Sequence, residues 1–144
     1  MKSKLAPICL FTYNRLDETI ETVKALQKNY LASDSEFYVF SDGPKNESVK
    51  DKVNAVREFL KTVNGFKSIT VFESKFNKGL ANSIIDGVTK ILEEFGKVIV
   101  LEDDLITSPN FLDFMNKSLI FYQNNNKVQS ISGYSLKVNS NDAT

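Results

Sequence analysis

The sequence predicts an α/β fold, an open and mostly parallel sheet with helices on both faces. Three observations predict it. Short apolar runs alternate along the chain with stretches of helical periodicity. Turn or capping residues separate one element from the next. Polar residues gather directly after the apolar runs, where sheets of this kind bind ligands.

Residues 5–12 (LAPICLFT) read as a buried strand. Leu16, Ile20, Val23, Leu26 and Tyr30 then recur at three- and four-residue steps and predict a first helix. Residues 36–43 (EFYVFSDG) predict a second strand, stopped by Asp42-Gly43-Pro44. Val49, Val53, Val56, Leu60 and Val63 mark a second helix that closes near Asn64-Gly65. Residues 68–74 (SITVFES) form a third strand. Leu80, Ala81, Ile84, Ile85, Val88, Ile91 and Leu92 form a third helix, stopped at Gly96. The run KVIVLED, residues 97–103, is the fourth strand. Ser108 as N-cap and Pro109 at the first helical position open a fourth helix carrying Phe111, Leu112, Met115, Leu119 and Tyr122. KVQSISGYS, residues 127–135, reads as a fifth strand.

Composition narrows the chemistry. Eighteen basic residues balance eighteen acidic ones, so no net field points to nucleic acid or to an anionic membrane. There is no histidine, which removes imidazole as base or metal ligand. The one cysteine, Cys9, lies in an apolar run and reads as a structural thiol. Any metal must therefore be held by oxygen, which favours Mn²⁺ or Mg²⁺ over zinc.

The fourth strand ends on Glu102, Asp103 and Asp104. By strand alternation Glu102 and Asp104 share one side and Asp103 takes the other. No basic residue stands near them in sequence, so a divalent cation that also bridges phosphate oxygens would resolve their repulsion. An exposed acidic loop favouring the N-terminus of the next helix is the alternative. Asp42, at the end of the second strand, could accept hydrogen bonds from a base or ribose, or could shape an Asx-type turn. Arg15 could grip a phosphate with its forked guanidinium, or pair with Asp17 or Glu18. Lys78 stands beside Gly79 and a helix N-terminus suited to anions, or in an ordinary loop.

Other chemistries are excluded by what is missing. The first strand has no G-x-G-x-x-G after it, and no G-x-x-x-x-G-K-[ST] occurs anywhere. A phosphoacceptor receiver would carry its acidic pair after the first strand, and a Ser-His-Asp hydrolase needs a histidine. A sugar-nucleotide pyrophosphorylase is not excluded but ranks well below, since it would want a glycine-rich loop with Arg or Lys where TYNRLDE stands.

Taken together, PICLFTYNR, YVFSDGP, NKGLANSI and VIVLEDDLITSPNFLDFMNKSL resemble the nucleotide-sugar-binding half of family 2-like glycosyltransferases, over about Ala6 to Gly133. The last block is similar to inverting N-acetylglucosaminyltransferases. The resemblance implies an A-type glycosyltransferase fold, Rossmann-like in its donor-binding half, and transfer from a UDP-sugar to an acceptor hydroxyl with inversion. It further implies Mn²⁺ or Mg²⁺ on Asp104, Asp103 near the ribose, and Glu102 flanking sugar and nucleotide. Asp42 matches the uracil contact, while Thr12, Tyr13, Asn14 and Arg15 match the loop lining the nucleotide. The partners implied are the donor and a carbohydrate or glycoconjugate acceptor.

The expected organisation is a donor-binding domain over residues 1–136 of a longer protein, then a polar tail over 137–144. The catalytic base is expected outside this chain. A non-catalytic nucleotide-binding or interaction domain on the same fold is the alternative. No transmembrane segment is read, and the chain is expected to be cytoplasmic, with peripheral membrane association left open.

Overall fold

A computed structural model describes residues 5–134. Four strands, β1 (Ile8–Thr12), β2 (Glu36–Ser41), β3 (Ser68–Glu73) and β4 (Ile99–Glu102), form one sheet in the order β3-β2-β1-β4, every pairing parallel. The connecting helices are α1 (Leu16–Gln27), α2 (Lys50–Leu60) and α3 (Leu80–Phe95), with α4 (Phe111–Tyr122) after β4. The expected fold class is therefore what the chain adopts.

Alternation along the strands decides which helix covers which face. Ile8 and Leu10, Phe37 and Val39, and Ile99 and Leu101 point to one side, where they pack with Val23 and Leu26 of α1, Val56 and Leu60 of α2, and Leu112 and Met115 of α4. Cys9 and Phe11 point to the other side and meet Ile91, Ile84 and Val88 of α3, together with Tyr38 and Phe40. Three helices thus cover one face and one covers the other. Phe11 and Phe40 stack at 5.1 Å between ring centroids, and Phe40 stacks on Phe72 at 5.0 Å.

Strand order reverses at β1, which carries β2 on one side and β4 on the other. That switch point leaves a crevice beyond the carboxyl ends of β1, β2 and β4. The register sets Phe11 beside Glu102 and Phe40, and Thr12 beside Ser41.

Several element limits differ from expectation. The first strand begins at Ile8, because Ala6 donates its amide to Asn116 Oδ1 instead of to a strand. Helix α1 stops at Gln27, and Tyr30 is exposed, its amide bonded to Pro109 O. Val49 belongs to a short 3₁₀ turn before α2, and Val63 follows the helix end. Ser108 and Pro109 form a turn in which Ser108 O accepts the Phe111 amide, so Asn110 is the N-cap of α4. Gly96, with φ of 71°, closes α3 by returning its amide to Leu92 O, as expected of a residue free to be left-handed. The expected fifth strand is absent: residues 127–134 pair with no strand, and Ser135 lies outside the described residues. The polar tail at 137–144 lies outside them too. No helix among the described residues is long and apolar enough to cross a membrane.

Candidate functional site

The ends of β1, β2 and β4, with the turn opening α3, enclose a cleft of about 250 Å³. Phe11, Phe40 and Leu80 supply its apolar lining, while Arg15, Lys45, Asp42, Asn77, Glu102 and Asp103 supply the polar part. An apolar wall with a few convergent polar groups is what a small-molecule site requires. Thr12 and Tyr13 also border the cleft. Thr12 shares its strand face with Leu10, and its buried Oγ1 has no hydrogen-bond partner.

The acidic strand end is not left without a cation. β4 stops at Glu102, so Asp103 and Asp104 sit in the following turn. There the guanidinium of Arg15 bridges them, Nη2 donating to Asp103 Oδ1 at 2.5 Å and Nη1 to Asp104 Oδ2 at 3.0 Å. Arg15 comes from the N-cap of α1, a position remote in sequence, and pairs with neither Asp17 nor Glu18. The expectation that the triad lacked a protein cation is thus corrected by the parallel β1–β4 pairing, which places the start of α1 beside the end of β4.

Burial separates the two carboxylates: the side chain of Asp103 is 5% exposed, that of Asp104 45%. Burial pushes the Asp103 carboxyl above its usual range, opposed by Arg15 and by the Tyr13 backbone amide. The Arg15 guanidinium is held above its ordinary value: partial desolvation opposes its charge, but the two aspartates outweigh it.

Asp42 is buried and its carboxylate is already engaged. Oδ1 accepts the amides of Gly43 at 2.8 Å and Lys78 at 2.9 Å, and Oδ2 accepts Gly79 N at 3.0 Å and Asn77 Nδ2 at 3.1 Å. Those donors match the acceptor capacity of a carboxylate. Asp42 therefore shapes the cleft wall by fixing the loop before α3. Gly79 at φ 78° turns the chain into that helix. Close contact reinforces the junction, since a Cβ on Gly43 would lie 2.5 Å from the Phe76 carbonyl carbon.

The other expected residues are spread around this centre. Glu102 lines the cleft on the α3 side. Asn14, in the bend between β1 and α1, does not border it. Lys78 lines a neighbouring hollow, where its ammonium pairs with Asp86 at 2.8 Å.

Sequence reading missed two residues. Lys45 borders the cleft, its amide reaching Tyr13 Oη at 3.3 Å. Arg57 of α2 braces the strand ends, donating to Asp42 O at 3.3 Å and to Ser74 O at 2.7 Å. For Lys45 the SDGPK turn was a signal; for Arg57 there was none, because its partners, mostly backbone carbonyls with Ser41 Oγ and Glu73, lie at strand ends distant in the chain.

The residues fit a hard divalent cation in one specific way. Among the described residues no group of three or more carboxylate, thiol or imidazole ligands comes together, so the chain offers no closed cage. Asp104 does not line the cleft, but its half-exposed carboxylate, joined through Arg15 to Asp103, which does, offers hard oxygen. Mn²⁺ or Mg²⁺ bound through one or two carboxylates, substrate phosphates and water is compatible with that donor set.

No curated protein matches the chain. The model of glycosyl transferase family 2 matches residues 8–140, which spans every strand and helix described above. The parallel sheet, the switch-point cleft and that match agree, and the chain belongs to glycosyl transferase family 2.

Proposed function

We propose that this family 2 glycosyltransferase chain is the donor-binding part of a metal-dependent enzyme that transfers a sugar from a UDP-sugar to an acceptor hydroxyl with inversion. The observation that carries the reading is Arg15, which lines a cleft with an aromatic wall together with Asp103 and bridges from it to Asp104. A nucleobase is favoured by apolar lining, and a diphosphate by a cation beside it. The E-D-D block, similar to that of N-acetylglucosaminyltransferases, supports the same orientation of donor.

In this reading Asp104 holds Mn²⁺ or Mg²⁺, which when bound neutralises charge on the leaving diphosphate. Arg15 and Lys45 hold phosphate oxygens. Asp103 faces the ribose, Glu102 faces the sugar, and Thr12, Tyr13 and Asn14 shape the nucleotide loop. Asp42 fixes the wall that contacts the base, and Lys78 contributes its backbone to that wall. The base that deprotonates the acceptor comes from outside the described residues.

Thermal unfolding with UDP, with and without Mn²⁺, and with GDP as control tests the reading. Ligand at ~100 times its dissociation constant stabilises by about 2.7 kcal/mol, a shift of several degrees. A UDP shift that needs Mn²⁺, and that Asp104→Ala abolishes, is expected. Equal shifts with GDP, or none with either nucleotide, would overturn it.

A further inference from the structure

Arg15 already engages one oxygen of each of the two carboxylates that a divalent cation would use, Asp103 Oδ1 and Asp104 Oδ2. Its two terminal nitrogens divide between Asp103 and Asp104, so one guanidinium is shared by both and offsets one of their two charges. Its backbone is fixed, with Arg15 O accepting Thr19 N at 3.1 Å and Thr19 Oγ1 at 2.5 Å. The side chain is less confined, at 44% exposed. An anchored main chain with a half-exposed side chain lets the guanidinium swing while its origin stays in place.

We propose that Arg15 is a resident counterion that competes with the divalent metal for Asp103 and Asp104, and that the donor diphosphate draws it away, so that metal binding depends on donor. This rests on the metal–diphosphate reading above. Two cations sharing one pair of carboxylates repel at contact distance, so each weakens the binding of the other. A diphosphate gives the guanidinium an alternative forked partner, at which point the aspartate oxygens become available. Free protein then binds metal weakly, and nucleotide and metal raise each other's affinity by the same factor.

The test is Mn²⁺ binding to the intact chain, read from the loss of the free-ion electron paramagnetic resonance signal, with and without UDP. Wild type, Arg15→Gln, Arg15→Lys and Asp104→Asn are compared at low, constant ionic strength, with circular dichroism as a check on folding. Without UDP, Arg15→Gln should bind Mn²⁺ about two- to fivefold more tightly than wild type, the scale of a partly exposed charge pair. Arg15→Lys, charged but unable to fork, should fall between them. The enhancement by UDP should shrink in Arg15→Gln. Equal or weaker Mn²⁺ binding by Arg15→Gln without UDP, while wild type with UDP binds well, would overturn the competition and leave the metal reading standing. No Mn²⁺ binding by any form even with UDP would overturn both.

Discussion

Asp42 Oδ2 accepts the amide of Gly79 at 3.0 Å, which ties the end of β2 to the residue that opens α3. Replacing Asp42 with Ala strands the Gly43, Lys78 and Gly79 amides together. The expected loss is about 2–4 kcal/mol of unfolding free energy, the scale of losing bonds to a charged acceptor. Asp42→Asn, which keeps one acceptor oxygen, should lose less. Urea denaturation of both variants checks this, and a loss below about 1 kcal/mol for Asp42→Ala would contradict the role assigned to the carboxylate.

The same junction predicts an effect at Gly43. A methyl group there meets the Phe76 backbone at 2.5–2.8 Å, and a backbone cannot yield as a flexible side chain would. Gly43→Ala should therefore destabilise by about 1–3 kcal/mol, as overpacking does. Hydrogen exchange at the Gly79 and Lys78 amides should accelerate more than exchange in α2.

Asn29 caps α4 from a distance. Its Oδ1 accepts the Leu112 amide at 2.9 Å, and its Nδ2 donates to Ala25 O and Thr107 Oγ1, both at 3.1 Å. The local N-cap, Asn110, contributes no side-chain cap bond, its Oδ1 accepting Ser108 Oγ instead. Asn29→Leu should lose about 2–3 kcal/mol by leaving a buried helix-end donor unpaired. A thermal melt measures it, and Asn29→Asp, which preserves the acceptor, should recover part of the loss.

Cys9 and Tyr38 set the alkaline limit of stability. Burial pushes the Cys9 thiol up to about 12. Burial, then Glu36, pushes the Tyr38 phenol up to about 12 as well. Because both folded values are raised, the stability they contribute is complete below their unfolded values of 9.0 and 10.0 and is lost as pH rises towards 12. Unfolding free energy should be flat for these groups near neutrality and fall above about pH 9. Alkylation of Cys9 at pH 8 should be limited by unfolding; rapid labelling of the native chain would refute its burial.

The sheet was legible because its signals are local. Four apolar runs became four parallel strands, and Gly96 closed α3 as read. The misread parts depend on partners distant in the chain. Ser108-Pro109 satisfies the usual helix-start pattern, yet Pro109 O is taken by Tyr30 and the helix begins at Phe111. Residues 127–134 have strand-like composition but no strand beside them among the described residues. At the site, the grouping of Thr12, Tyr13, Arg15, Asp42, Glu102 and Asp103 around one cleft followed from strand ends alone. The bridge from Arg15 to Asp103 and Asp104 did not, since only the β1–β4 pairing brings them together. Nor did the saturation of Asp42, whose donors are mostly main-chain amides.

The strand order also governs how the chain can assemble. Every pairing is parallel, so no hairpin can start the sheet, and each new strand must wait for a helix to carry the chain back. Ile8 must wait longest, until Ile99 has been made and delivered. Folding from the N-terminus can assemble β1, β2 and β3 early while one edge of β1 stays bare. The cleft is closed only when β4 docks, so the carboxylates that face Arg15 arrive with the last of the described strands and the binding site forms after β1, β2 and β3 have come together.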